Sequence, residues 1–142
     1  NDIYFENKKL AGVLLESQVQ SGNQSVVIGV GINYSIDQAM VFQTPWTDLK
    51  KITKILPDIM LLTAKIINNI LVMSEHFSVS GFDDFRSDWK RYDMLQGKKV
   101  KCSDLGESFE GKVIGLSTEG ALKICTKNGV KEVYSSRHIE YI

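Results

Sequence analysis

The sequence predicts an α+β fold in two parts, a sheet-and-helix domain over residues 1–93 and a small all-β domain over residues 94–142. Three observations carry this reading. Two apolar runs rich in β-branched residues stand at hairpin distance before Asn33. Apolar residues then recur at helical spacing from Ile59 to Met73. Beyond Met94 every run is short, β-like and punctuated by glycine.

In chain order, Ile3–Phe5 reads as a short strand, Asn7-Lys8 as a turn, and Leu10–Val19 as a longer strand, its Val and Leu favouring the pleated state. Ser21-Gly22-Asn23-Gln24 has the composition of a hairpin loop, and Ser25–Asn33 returns as the second strand. Val26-Val27-Ile28 is apolar without alternation, which predicts a strand covered on both faces and central to its sheet. Periodicity is lost from Tyr34 to Pro45, and a stretch of that length is more often functional than structural. Asp58 is placed as an N-cap for a helix whose Ile59, Leu62, Ile66, Ile70 and Met73 define one buried face. That helix should stop near Gly81. Phe82, Phe85 and Trp89 then predict a second amphipathic helix with its aromatics in the core and Asp83, Asp84, Arg86 and Lys90 turned outward. The remaining strands are Lys98–Cys102, Ser108–Leu116, Ala121–Thr126, Val130–Tyr134 and His138–Ile142, with turns at Asp104-Leu105-Gly106, Thr118-Glu119-Gly120 and Lys127-Asn128-Gly129. Five such strands imply a small SH3-like barrel.

Composition bounds the function classes. Seventeen basic and seventeen acidic side chains cancel, so overall charge offers no case for a nucleic-acid or membrane-surface partner. Cys102 and Cys125 have no CxxC partner and no nearby histidine, which disfavours zinc or thioredoxin-type chemistry and predicts half-buried thiols. No metal site is expected from protein ligands alone. His76 and His138 have no acid or nucleophile at informative spacing. No run approaches the roughly 20 apolar residues of a membrane span, and no leader precedes the first strand, so the cytoplasm is the expected compartment. An opening on Asn-Asp rather than Met suggests an excised fragment.

Taken alone, Lys9 is a lysine beside a turn, and such residues are usually solvated surface. Its surroundings change that. NDIY, then KKLAGVLLE, then VIGVGIN, in this order and spacing, resembles the biotin protein ligase pattern of a WPNDxY motif, a KxxGIL-type strand and a GIGxN-type strand. GFDDFRSDWKRYD resembles the family's helix before its last domain, and GKKVKC with FEGKVIGLSTEGALKI resembles its C-terminal barrel. The resemblance therefore covers residues 1–142. It implies the C-terminal portion of a class II aminoacyl-tRNA-synthetase-like catalytic domain, followed by the barrel.

By this resemblance Lys9 matches the active-site lysine that contacts the biotin carboxylate and the α-phosphate, with Lys8 its competitor for the role. A fixed cation suits a transition state in which a carboxylate joins a phosphate. Gly12 matches the floor of the biotin pocket and Leu14 its apolar wall. Gly29 and Gly31 make room for the adenylate, Asn33 faces the nucleotide, and Trp46 packs by the adenine at the end of an adenylate-binding loop spanning Tyr34–Trp46; on the residues alone, a surface loop pinned by one buried tryptophan stands equally. GxGxN is not read as a dinucleotide loop, because no helix signal follows Asn33. For Asp2, in the position of the WPND aspartate, a nucleotide-side magnesium or lysine-orienting role and simple turn capping both stand. The C-terminus departs from the pattern, with Ser135-Ser136-Arg137-His138 where the family shows Gly-Glu.

The activity implied is ATP-dependent formation of biotinyl-5'-adenylate, with Mg2+ escorting the ATP, then transfer of biotin to a lysine of a biotin carboxyl carrier protein domain of acetyl-CoA carboxylase. The family's glycine- and arginine-rich loop would precede Asn1, so the chain is expected to be inactive alone and to need the N-terminal part of the same ligase. A homodimer through Gln18–Ser25 is a further implied partner, and DNA only where a parent protein carries a repressor domain. The alternatives are a lipoate-type ligase of the same superfamily and a non-catalytic interaction module in which Lys9 is surface.

Overall fold

The computed structural model describes residues 1–37, 41, 44–104, 107–134 and 138–142. Residues 38–40, 42 and 43 of the aperiodic stretch, part of the Asp104-Leu105-Gly106 turn, residues 135–137 and the His138 side chain lie outside the described residues. The chain divides into two compact units, Asn1–Ala64 and Lys65–Ile142. This division falls inside a helix, whereas the expected boundary at residues 93 and 94 marks the change from helix to strand.

In the first unit an antiparallel sheet has the order β1 (Asp2–Phe5), β2 (Lys8–Gln20), β3 (Asn23–Ile32). The turn between β1 and β2 is Glu6-Asn7, one residue earlier than expected, with φ of 48° and 61°. Both residues are left-handed, the geometry of a two-residue turn that matches strand twist. Ser21-Gly22 makes a second such turn, with φ of 51° and 81°, so the expected four-residue loop is a tight reversal between Gln20 and Asn23.

The expectation for Val26-Val27-Ile28 is overturned. Among the described residues β3 is the sheet's edge, and Val26 and Val27 are 54% and 56% exposed. Continuous apolarity reports what a strand is suited to be covered by, and no described segment supplies that cover. Among the described residues Ala11 is the buried apolar residue of this unit. The short helix α1 (Leu49–Ile52) follows, capped by Asp48.

Helix α2 (Ile59–Ser80) begins as expected, with Asp58 Oδ1 accepting from the Leu61 amide at 2.9 Å, and ends at Gly81 with φ 67°. Leu62, Ile66 and Ile70 are its least exposed residues, yet none of its side chains is buried, and Ile59 and Met73 are more than half exposed. A 3-10 turn (Asp83–Phe85) leads into α3 (Arg86–Tyr92). Trp89 is 45% exposed rather than in a core. Arg86 does not point to solvent: it donates to the Ser117 and Thr118 carbonyls as well as to Asp83. His76, expected to lack an acid, pairs with Asp84 at 2.7 Å; the shared turn at Gly81 brings residues eight apart together.

The five strands of the second unit form one antiparallel sheet in the order β7 (Gly129–Val133), β6 (Leu122–Thr126), β5 (Glu107–Leu116), β4 (Lys99–Asp104), β8 (His138–Tyr141). Their bounds match the expected strands within two residues. Val100, Cys102, Val113, Ile124 and Val133 form the buried core, from alternate positions that share an inner face. Cys102 is fully buried and Cys125, its side chain on the opposite face of β6 from Ile124, is exposed, so the half-buried expectation fails for both. Gly111 is required by close approach. A Cβ there would stand 2.5 Å from the Cys125 carbonyl oxygen and from Ile124 Cγ2.

Candidate active site

Most of the residues singled out in the sequence share one face of the first sheet, and the register explains why. Asp2 lies opposite Gly12, Gly12 opposite Gly31, and Leu14 opposite Gly29. Directly opposed residues of an antiparallel pair point to the same side. Lys9 is three residues from Gly12 and would face the other way in a regular strand. It does not, because Ile3 pairs with Ala11 while Tyr4 pairs with Lys9, leaving Leu10 as an extra, bulged residue. The bulge re-aims Lys9 so that its Nζ stands 2.7 Å from Asp2 Oδ1 and 3.7 Å from where a Gly12 Cβ would lie.

The backbone of Lys9 is held on both sides. Its N–H donates to the Pro45 carbonyl at 2.9 Å, and its carbonyl accepts from the Thr47 N–H at 3.0 Å. Trp46 thereby runs as a parallel bridge beside Lys9, taking the place along β2 that β3 vacates after Ile32. Asn33 seals the junction. Its Nδ2 donates to the Lys9 carbonyl at 3.1 Å and to the Thr47 carbonyl at 3.0 Å, and its N–H donates to the carbonyl of the bulged Leu10 at 2.9 Å. With both amide protons spent on the scaffold, Asn33 can offer a ligand only its Oδ1.

Asp2, Lys9, Gly12, Leu14, Gly29 and Gly31 line an open groove of about 440 Å³. Its three glycines have neither of the ordinary explanations. None has a positive φ. A Cβ at Gly31 would meet nothing within 4 Å, and one at Gly12 or Gly29 would make only ordinary contacts at 3.4 Å or more. Glycine weakens a strand by entropy and lost packing, so three on one face of two paired strands leave space that the described chain does not itself use.

The two neighbouring lysines part company here. Lys8 lines a second concavity of about 520 Å³ with Phe5, Trp46, Thr47 and Lys51. The Trp46 ring belongs to that side, with Lys51 Nζ 3.6 Å from its centroid, and is not among the residues lining the Lys9 groove.

Sequence reasoning missed Asp48. It is 1% exposed; its Oδ1 accepts from the Lys51 N–H and its Oδ2 from the Ile36 N–H, both at 2.9 Å. The Ile36 N–H chiefly holds this carboxyl below the usual carboxylate range; burial opposes it, while the Lys51 N–H and the Lys51 and Lys50 charges reinforce it. An aspartate before Leu49-Lys50-Lys51 was legible as a cap; its second bond was not. Among the described residues no group of three or more His, Cys, Asp or Glu could hold a metal ion.

Residues 1–33, which contain most of this groove, match the biotin/lipoate A/B protein ligase family. Across 141 residues the chain is 30% identical to the bifunctional ligase/repressor BirA of Bacillus spizizenii, an alignment covering 96% of this chain and 43% of that protein. Its fold matches the apo structure of biotin protein ligase from Aquifex aeolicus with a TM-score of 0.85 at 28% identity, over 100% of this chain and 63% of that one. The complex of the same enzyme with biotin and ATP matches with a TM-score of 0.81, again at 28% identity, over 100% and 60%. The chain thus spans less than half the length of the BirA relative and under two thirds of the solved ligase. In sequence and in fold, the chain is similar to a part of these biotin protein ligases.

Proposed function

We propose that the protein to which this chain belongs is a biotin protein ligase, forming biotinyl-5'-adenylate from biotin and ATP and passing the biotin to a lysine of a biotin carboxyl carrier protein. The observation that carries the reading is the glycine-floored groove beside an ion-paired lysine. Three glycines leave a patch of bare backbone between the Asp2, Lys9 and Leu14 side chains, and Lys9 stands at its edge. In the first step the biotin carboxylate oxygen attacks the α-phosphorus and pyrophosphate leaves. The carrier amine then attacks the adenylate carbonyl and AMP leaves. Neither step needs a nucleophile from the ligase. An ammonium has three donors, so Lys9 can keep Asp2 on one and offer two to carboxylate and phosphate oxygens.

In this reading Gly12 and Leu14 border the biotin, Gly29 and Gly31 admit the adenylate, and Asp2 orients Lys9. Asn33 acts at the nucleotide end through its Oδ1, whereas the Trp46 ring, on the Lys8 side, is set apart from the Lys9 groove. Mg2+ comes with the ATP, since such ions are typically held by substrate phosphates with one or two carboxylates; Asp2 is the groove's carboxylate. We further infer a class II synthetase-like catalytic portion over residues 1–93, an SH3-like barrel over 94–142, and cytoplasmic work. Partners are the carrier domain, the remainder of the ligase, and a second copy; DNA enters only through a repressor domain elsewhere in the protein. The open groove and the exposed β3 support the view that residues 1–142 alone have little ligase activity.

The test is biotin-dependent ATP–pyrophosphate exchange by the full-length protein, followed by mass analysis of a carrier domain. Exchange with biotin and a single added biotinyl group on the carrier lysine are expected. Exchange dependent on lipoate instead would move the assignment to the sister activity, and no exchange with either would sink it.

A further inference from the structure

The aperiodic stretch leaves β3 at Asn33 and returns at Pro45, and both of its ends are stitched to the same piece of β2. Leu49 N–H donates to the Asn33 carbonyl at 2.9 Å and Lys50 N–H to the Tyr34 carbonyl at 3.1 Å. Thr47, 4% exposed, carries the next bonds, giving its N–H to the Lys9 carbonyl and its own carbonyl to Asn33 Nδ2. Asp48, one peptide further, is the one described carboxylate buried in this unit, and it reaches across the neck to the Ile36 N–H on the outgoing side.

We propose that Asp48 is a positioning residue for Lys9: its buried carboxylate clasps the two arms of the neck and so holds Thr47, and through Thr47 the Lys9 backbone, in place. This rests on the functional reading of Lys9 given above. Helix capping alone would need one oxygen, and serine supplies that at a four-residue helix as well as aspartate does. Among the described residues the second oxygen serves the cross-neck bond to Ile36, which a cap does not need. Two oxygens on two N–H donors also exclude asparagine, whose NH2 would be turned toward a donor. The coupling is mechanical. Lys9 has its carbonyl bonded to Thr47 and to Asn33, and Asn33 is bonded to Thr47, so the three move as one unit. A displacement of about 1 Å at a reacting group is enough to cost on the order of a hundredfold in rate.

The test uses the full-length protein with Asp48→Ser, which keeps the cap and loses the clasp, Asp48→Asn, and Lys9→Ala in the same exchange assay. kcat for adenylate formation should fall at least tenfold in both Asp48 variants, with the KM for biotin within about threefold and melting of the Ser variant lowered by no more than the one lost clasp bond accounts for, so that the protein stays folded at the assay temperature. A wild-type kcat in Asp48→Ser while Lys9→Ala collapses would overturn the inference and leave the functional reading standing. An unaffected Lys9→Ala would bring down the functional reading itself, and this inference with it. Amide hydrogen exchange at Lys9 and Thr47 gives a readout independent of turnover, with faster exchange expected in Asp48→Asn. Unchanged protection there would equally refute the clasp.

Discussion

Replacing Lys9 with alanine should separate catalysis from stability, and the structure supplies both magnitudes. The Lys9–Asp2 pair is short, at 2.7 Å, but its side chains are 39% and 32% exposed. Pairs so open to solvent contribute about 0–1 kcal/mol. The bonds that hold residue 9, to Pro45, Thr47 and Asn33, are all made by its backbone and survive truncation. Stability should therefore change by no more than about 1 kcal/mol. Removing a preorganised donor from a developing anionic centre costs about 2.7–4 kcal/mol, or roughly 10²–10³ in rate. The assay is biotin-dependent ATP–pyrophosphate exchange at saturating substrate in the full-length protein, with thermal melting on the same samples. Lys8→Ala is the paired control, because the bulge at Leu10 leaves Lys8 on the other concavity, and its rate should stay within about twofold of wild type. A Lys9→Ala rate within about threefold of wild type, or equal damage from Lys8→Ala, would refute the assignment of the groove to Lys9.

Gly111→Ala should destabilise the second unit by about 3 kcal/mol or more, since its Cβ would meet β6 backbone at 2.5 Å and strands cannot yield as side chains do; urea unfolding of the 142-residue chain measures this, and a loss under about 1 kcal/mol would contradict the tight packing. Gly12→Ala should leave melting nearly unchanged, because its Cβ clears Asp2 Oδ1 by 3.4 Å, while weakening biotinyl-adenylate binding at least tenfold in calorimetric titration of the full-length protein. Asp48 should make the first unit sensitive to acid. Its folded pKa is lowered, so its contribution is present above the unfolded value of about 3.9 and is lost as pH falls through the depressed folded value. Melting against pH should lose this acid-side slope in Asp48→Ser; identical profiles would show that the carboxylate bonds contribute nothing.

How far the molecule was legible varies with the range of the interaction concerned. The strands of the second sheet and the start of α2 were readable because turn glycines, alternation and an Asp cap act within a few residues. Exposure was not. Val26, Val27 and Trp89 carry the signature of buried residues and stand in the open, because a side chain's hydrophobicity states a preference that only a neighbouring segment can satisfy. The His76–Asp84 pair needed the turn at Gly81 to bring its members together.

The ordered motifs NDIY, KKLAG and VIGVGIN, through their resemblance to the biotin protein ligase pattern, nominated the residues of the candidate site, since order and spacing are properties of the chain. What only the tertiary structure decided is which way those residues point. Lys9 and Gly12 lie three apart and would occupy opposite faces of any regular strand; one unpaired residue, Leu10, turns them to the same groove and sends Lys8 to the other side. Asn33 likewise reads as a ligand-facing amide until the Lys9 and Thr47 carbonyls, brought side by side, take its two protons and leave only its Oδ1. Side-chain direction in a sheet has a period of two, so a single bulge inverts it, and whether a bulge forms is settled by pairing across strands rather than along one.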